Sequence, residues 1–210
     1  DPARILTNVP GVQIQQQSAN SLNFEMRAGS GTFGTSTFVM QDNRFLITPA
    51  ANNYFSFQQG LSNLDLASVE VVRGAAGVLY GPGVTSGVIH FRTKSPIDYQ
   101  GNSASIWGGE LNTAGGEIRI ARGNDDKTFG YKFNLRYSEN GSWDLSDSQK
   151  LSVFGASGTR TINDPLTSQS VGSSNQLRDI ESKGVDASLY YRPNNNFSFT
   201  AVAGMGSTIG

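Results

Sequence analysis

The chain has 210 residues with 25 glycines and no cysteine, and its formal net charge is −1. Without cysteine it has no disulfide, no thiolate metal ligand and no cysteine nucleophile, and a near-neutral charge gives no reason to expect a nucleic-acid partner. The frequent glycine, serine, threonine and asparagine favour β-structure with many turns.

No apolar run reaches the roughly 18 residues that a membrane-spanning helix needs, although barrel strands are shorter and give a weaker signal. The first residues, DPARILTNVPGV, have neither the basic region nor the apolar core of a signal peptide. From this we expect either a cytosolic protein or a chain whose first part is missing.

Residues 1–95 contain short β-like segments joined by irregular, glycine-rich pieces. The predicted strands are Val12–Gln15, Asn23–Arg27, Thr37–Met40, Val69–Val72 and Val88–Thr93. Short helical pieces are predicted around Leu61–Leu66 and at Ala75–Tyr80. This half is predicted to be a small mixed α/β domain.

The second half, beyond about Pro96–Gly101, changes to strict alternation. In Phe129–Ser138 aromatic residues and leucine occupy one face, while glycine, lysine, asparagine, arginine and serine occupy the other. The same period recurs at 184–192 and 197–205, and more weakly at 103–109 and 117–122. Such alternation predicts strands with one apolar and one polar face.

The connections between these strands decide between a soluble sandwich and a membrane barrel. The segments GNDDK at 123–127 and PNNN at 193–196 are tight polar turns, whereas a long polar connection lies near 139–182. Short turns at one end and a long loop at the other are typical of outer-membrane barrels. Five strands cannot close such a barrel, which needs at least about eight, so we expect a piece of a larger one.

The motifs that suggest enzymatic chemistry are weak. Gly29–Gly34 matches GxGxxG, but β-branched residues follow it where a dinucleotide site needs a helix N-terminus. His90 is the only histidine, so most zinc arrangements are excluded, and it is interpreted as a polar position on a strand. The sequence therefore predicts no catalytic residue, no metal site and no cofactor.

Five segments of the first half carry a family resemblance. LASVEVVRGAAGVLYG at 66–81, followed by GVIHFRTKSP at 87–96, resembles the plug domain of TonB-dependent outer-membrane receptors. NVPGV at 8–12, FEMR at 24–27 and FVMQD at 38–42 resemble the upstream motifs of that family. Small or turn-compatible residues replace family residues at Ala28, Asn43, Ala75 and Ser86.

The resemblance implies an α+β plug domain at residues 1–96, followed at 97–210 by antiparallel transmembrane β-barrel strands. These would be about five strands of a plugged barrel of about 22. Arg73-Gly74 stands where the SusC-like branch has a lysine–aspartate pair, which favours the siderophore and vitamin-type branch. In the family, the signal peptide and the TonB box precede this region.

The function implied by the resemblance is active uptake of a scarce ligand, most often a ferric siderophore or similar metal chelate, across a Gram-negative outer membrane. TonB with ExbB–ExbD would supply the energy, with outer-membrane lipid around the barrel. A surface lipoprotein or another outer-membrane subunit remains open as a partner. The alternatives are a plug-containing subunit that no longer transports and, third, a soluble nucleotide-binding enzyme.

The candidate site residues fall into two groups. Ligand contacts are expected in the outward plug loops, at Arg27, Asn52, Asn53, Tyr54, Phe55 and Tyr80. An arginine suits an anionic chelate, and amides with aromatic rings suit a ligand that is partly polar and partly apolar. For each of these residues, a contact between plug and barrel is an equal alternative. Glu70 and Arg73 are expected to pair with the barrel wall. Gly74, Gly81 and Gly87 are expected to provide turn geometry.

Overall fold

The computed structural model describes residues 2–18, 21–26, 37–46, 54, 61–81, 84–141, 180–194 and 196–209. Within these ranges eleven strands form three sheets, accompanied by one 3-10 helix and one short α-helix. Two of the sheets lie in an N-terminal domain (residues 2–93), and the third comprises the remaining five strands, called the wall below.

The N-terminal domain is built on a four-stranded sheet. Its elements are the 3-10 helix Pro2–Asn8, β1 (Val12–Ser18), β2 (Ser21–Met26), β3 (Thr37–Gln41), β4 (Arg44–Phe45), β5 (Leu66–Arg73), α1 (Gly77–Tyr80) and β6 (Gly87–Thr93). The sheet has the order β4-β3-β6-β5, with β3 parallel to β6, while β1 and β2 form a separate antiparallel pair. The five strands predicted for this half are thus confirmed, and the two-residue β4 was not predicted.

The core of this domain lies on both faces of the sheet. Ile89 and Phe91 of β6 point into the larger cluster, which also holds Phe24 and Met26 of β2, all fully buried. Val88, from the other face of β6, packs with a smaller cluster. Because β6 is buried on both faces, its sequence is mostly apolar and does not alternate between polar and apolar residues.

The predicted helix at Leu61–Leu66 is wrong. Residues 63–65 form a turn, and β5 begins directly at Leu66. The Leu61 carbonyl, which a helix would bond internally, instead accepts from Arg136 of the wall, and the Asn63 amide donates to Glu117. Tertiary contacts therefore override the local helix preference.

The wall is an antiparallel sheet in sequence order. Its strands are β7 (Gly101–Gly109), β8 (Thr113–Gly123), β9 (Phe129–Asn140), β10 (Ile180–Asn194) and β11 (Phe197–Ile209). All five were predicted, although each is longer than the pattern indicated. The domain boundary expected at residues 96 and 97 falls in the connection between β6 and β7, and most of the predicted loop near 139–182 lies outside the described residues.

The alternation in β9 is confirmed by its burial. Phe129, Tyr131 and Phe133 point away from the N-terminal domain and are 42%, 42% and 37% exposed, whereas Lys132 and Asn134 point towards it and are 5% and 2% exposed. The polar face of the wall is therefore the buried one. In the described part of the chain, no helix has the length and apolarity needed to cross a membrane.

Candidate functional site

A buried ion cluster joins the N-terminal domain to the wall. The Asp65 carboxylate, in the turn before β5, accepts hydrogen bonds from Arg119 Nε at 2.7 Å and from Lys132 Nζ at 2.6 Å. Asn134 Nδ2 donates to the same carboxylate at 3.1 Å. The three charged side chains are each 4–5% exposed, so the cluster is shielded from solvent. At such depth the loss of hydration of the charges must be offset by short, well-oriented contacts between them.

Hydrogen bonds from the wall cations also reach the end of β6 and the connection after it. Lys132 Nζ donates to Thr93 Oγ1 at 2.7 Å and to the Lys94 carbonyl at 3.0 Å. Arg119 Nη1 donates to the Tyr99 carbonyl at 2.9 Å. Lys132 therefore has three acceptors and Arg119 has two, while the buried Nη2 of Arg119 has no protein partner among the described residues.

A second contact lies one row along the wall from the first. Arg136 Nη1 donates to the Leu61 carbonyl at 3.1 Å, and Glu117 Oε2 accepts from the Asn63 amide at 3.1 Å. Glu117 and Arg136 are direct cross-strand partners on β8 and β9. We call the contacts of Leu61, Asn63 and Asp65 with β8 and β9 the latch.

The latch arises from three neighbouring rows of the wall, which hold Glu117 with Arg136, Arg119 with Asn134, and Lys132 opposite Ala121. Arg119, Asn134 and Asp186 are consecutive partners across β8, β9 and β10, and Asn134 Nδ2 also donates to Asp186 Oδ1 at 2.9 Å. The alternation of β8 and β9 had placed their charged residues on the polar face. Asp65 was missed, and its only sequence signal is its place directly before the strand β5.

Glu70 and Arg73 make other contacts than those expected. Glu70 pairs with Arg92 at 2.7 Å and lies 3.9 Å from His90 Nδ1, while Arg73 Nη1 donates to the Pro10 carbonyl at 3.0 Å. These partners all belong to the N-terminal domain. Since β5 and β6 are paired, Arg92 on the adjacent strand lies within reach of Glu70. Because the five described wall strands are only part of the expected barrel, the pairing of Glu70 and Arg73 with the barrel wall stays a prediction.

The three candidate glycines adopt the expected backbone geometry. Their φ angles are 106° at Gly74, 96° at Gly81 and 155° at Gly87, a region that side-chain-bearing residues rarely occupy. At Gly87 there is a second reason, because an added Cβ would collide with the Val72 carbonyl oxygen and the Met26 methyl group. Gly87 therefore lets β2 and β5 approach the start of β6.

Of the residues expected to face a ligand, Tyr54 and Tyr80 lie in the described part of the chain and differ in burial. Tyr54 is 4% exposed in the core and stacks on Phe24 with ring centroids 5.2 Å apart, so its expected place on an outward loop is corrected. Burial raises the pKa of its hydroxyl above the ordinary value, with the nearby Arg136 guanidinium acting in the opposite direction. Tyr80 is half-buried at the end of α1, against the smaller cluster.

The remaining ligand candidates, Arg27, Asn52, Asn53 and Phe55, lie outside the described residues, as does the glycine motif at 29–34. His90 is buried beside Glu70. Within the described ranges, no group of three or more histidine, aspartate or glutamate residues is arranged to hold a metal ion. The expected absence of a cofactor stays a prediction.

The comparisons with known proteins agree on one family. Residues 1–88 match the family model described as TonB-dependent Receptor Plug Domain. No curated protein matches the chain. Among solved structures, the copper transporter OprC superposes with a TM-score of 0.66 at 16% identity, covering 98% of this chain and 28% of that one.

Two further structures have the same fold. The ferric yersiniabactin uptake receptor FyuA from Yersinia pestis gives a TM-score of 0.62 at 17% identity, covering 99% of this chain and 29% of that one. The pyoverdine outer membrane receptor FpvA from Pseudomonas aeruginosa PAO1, bound to pyoverdine, gives 0.61 at 14% identity, covering 97% and 24%. The chain thus spans less than a third of each of these receptors.

Together, the four-stranded sheet packed on the polar face of an antiparallel wall defines a plugged-barrel architecture, of which this chain holds an unclosed part. Its first 88 residues match the model of the TonB-dependent receptor plug domain, and the whole chain, with β7–β11, shares the fold of the corresponding part of these solved receptors. The resemblance seen in the sequence is confirmed.

Proposed function

We propose that the complete protein is a TonB-dependent outer-membrane receptor that imports a scarce ligand, with a ferric siderophore or similar metal chelate as the favoured class. The observation that carries this proposal is a plug held against a wall by the latch. The three solved structures support the ligand class, because they are a copper transporter, a ferric yersiniabactin uptake receptor and a pyoverdine receptor. No comparison supports the alternative of a subunit that does not transport.

The latch suits a plug that must hold and then move. Its contacts are hydrogen bonds and ion pairs, which hold while water is excluded and which water can replace only after it enters the interface. An apolar interface would instead expose hydrocarbon to water at each step. Force transmitted by TonB, energised by ExbB–ExbD, is the proposed source of the work.

The outward face of the wall suits contact with lipid. Large apolar side chains point outward from β9, β10 and β11, among them Leu135, Leu189, Phe199 and Met205. A soluble protein rarely exposes so continuous an apolar surface. This supports the proposed location in an outer membrane, as does the description of FpvA as an outer membrane receptor.

The proposed role is binding and transport rather than catalysis. Arg27, Asn52, Asn53, Phe55 and Tyr80 remain proposed ligand contacts. Scanning each of them to alanine in the full-length receptor, with uptake as the measurement, would separate ligand contacts from positions that only pack.

The test of the function is growth of a deletion strain on single nutrient sources: individual ferric siderophores, copper, cobalamin and glycans. We expect loss of growth on one ferric chelate, restored by the full-length gene, and the same loss in a strain that lacks TonB. Unchanged growth on every source would contradict the importer proposal. Loss on one source without dependence on TonB would contradict the energy coupling.

A further inference from the structure

The charges on the inner face of the wall balance with a residue of the plug. Three neighbouring rows of β8, β9 and β10 carry three bases and two acids, namely Arg119, Lys132, Arg136, Glu117 and Asp186. The Asp65 carboxylate of the plug is the third acid, and it pairs with two of these bases. When the plug shifts, this carboxylate leaves, and three cations remain in the wall with two acids.

Asp186 lies beside Asp65 at the buried interface. Asn134 Nδ2 donates to both carboxylates, to Asp65 at 3.1 Å and to Asp186 at 2.9 Å. Two carboxylates bridged by one amide group repel each other, because their charges have the same sign and little water lies between them. Asp186 therefore weakens the attraction between Asp65 and the wall while the latch is closed.

The side chain of Lys132 can reach Asp186. Lys132 pairs with Ser188 and Asn134 pairs with Asp186, so Lys132 and Asp186 are diagonal neighbours on the same face of β9 and β10. Diagonal neighbours lie about 7–8 Å apart, a distance that long side chains span. Both residues line a cavity of about 260 Å³ beside the β3–β4 turn at 41–44, so water that enters there reaches them directly.

Arg119 also has a second acceptor within the wall. Its Nη2 is buried and has no hydrogen-bond partner in the described part of the chain, and the same is true of Oδ1 of Asn134, its direct cross-strand partner. Residues that face each other in this way have Cβ atoms about 4.5–5.5 Å apart. Once Asp65 no longer holds Nε, a rotation of the guanidinium can bring these two groups together. Arg136 has Glu117 as its direct cross-strand partner.

We propose that Asp186 is an exchange acceptor for the latch: as Asp65 leaves, Lys132 Nζ moves from its plug acceptors to the Asp186 carboxylate. Arg119 turns to Asn134 at the same time, so the plug separates from the wall without leaving a buried cation unpaired. The inference rests on the proposed function, in which the plug shifts, and adds the residue that eases this shift.

The test measures how often the latch opens in the purified full-length receptor in detergent. Ser62→Cys places a thiol between Leu61 and Asn63, where Ser62 is 4% exposed, and the present chain has no cysteine of its own. The rate at which N-ethylmaleimide modifies this thiol reports opening, and the receptor without the substitution gives the background rate.

We expect Asp186→Asn to lower the modification rate several-fold. The substitution keeps an acceptor for Asn134 but removes both the repulsion of Asp65 and the new partner of Lys132. A purely structural Asp186 predicts the opposite result, because loss of a buried polar partner loosens the interface and exposes the thiol. A raised or unchanged rate would therefore overturn the proposal.

Three further variants separate the exchange from a general effect of charge. Asp186→Glu should restore the rate, because it restores the carboxylate. Glu181→Gln should leave the rate unchanged, because Glu181 lies on the other face of the same strand and pairs with Lys183 at 2.7 Å. In an Asp65→Asn background, Asp186→Asn should instead raise the rate, since Asp186 is then the carboxylate left beside Lys132. An effect of the same sign in both backgrounds would contradict the exchange.

A second measurement covers the case in which Ser62→Cys fails to assemble. Followed by limited proteolysis, the plug of Asp186→Asn should unfold at a higher urea concentration than that of the wild type, and an equal or lower concentration would overturn the proposal. Neither measurement needs a ligand or TonB. Absence of uptake in the growth experiment would remove the proposed function, whereas a modification rate that Asp186→Asn does not lower would overturn the exchange and leave the function standing.

Discussion

The latch predicts a large loss of stability for Asp65→Asn. The substitution keeps the shape of the side chain but removes the charge that faces Arg119 Nε at 2.7 Å and Lys132 Nζ at 2.6 Å. Two cations then remain buried without their shared counter-charge, and breaking a buried pair in this way costs about 3–5 kcal/mol. We therefore expect the free energy of plug unfolding to fall by about that amount in the full-length receptor.

The measurement is urea unfolding in detergent, with the plug transition followed by limited proteolysis. Asp98→Asn is the matched control, because Asp98 and Lys127 lie 3.8 Å apart with more than half of each side chain exposed. Exposed pairs of this kind contribute about 0–1 kcal/mol. A double variant, Asp65→Asn with Lys132→Met, should recover part of the loss because one uncompensated cation is gone. If Asp65→Asn costs no more than Asp98→Asn, the latch is not a stabilising contact.

Two further predictions concern the plug itself. Gly87→Ala should lower the free energy of unfolding by more than about 1 kcal/mol, since its φ of 155° and its contacts leave no room for a methyl group; Gly77→Ala, with open space around its Cβ, should be nearly neutral in the same assay. Burial raises the pKa of Tyr54 above its ordinary value of 10.0, so the unfolded chain loses this proton at a lower pH than the folded one. The stability advantage of wild type over Tyr54→Phe should therefore be full below about pH 10 and should decline above it. A difference that stays constant from about pH 8 to pH 11 would contradict the burial of this hydroxyl.

The strands of the wall could be predicted because their signal is local. In β9 the polarity of each residue indicates which face of the sheet it lies on, and the alternation of its neighbours indicates the same. The sheet then places Lys132 and Asn134 inward without any knowledge of their partners.

The latch could not be predicted in the same way, because its partners are far apart in sequence. Asp65 meets Arg119 across 54 residues and Asn134 across 69, and no local pattern links them. Glu70 and Arg73 drew attention because they flank Val71–Val72 within the family motif, yet the contacts described for them lie within the plug. Local charge alone does not tell which acid faces a neighbouring strand and which faces the wall.

The same limit explains Tyr54. Within the polar, turn-rich segment TPAANNYFSF, an aromatic residue was expected to face outward, towards a ligand. Its burial depends on Phe24, thirty positions earlier, and on a core assembled from separate strands. Burial of an aromatic ring is decided by what packs over it, which a single sequence window does not contain.

The two sides of the plug–wall interface differ in how they would respond to force. Displacing Asp65 separates opposite charges in a region without solvent, where their attraction is strongest and water must enter before the charges can part. Displacing β4 from β3 breaks the pairs Met40–Phe45 and Gln41–Arg44 beside a polar cavity, where water can replace each bond as it breaks, whereas β3 itself is held to β6 by five pairs. A pull on the plug is therefore expected to move β4 first, while the plug stays attached to β8 and β9.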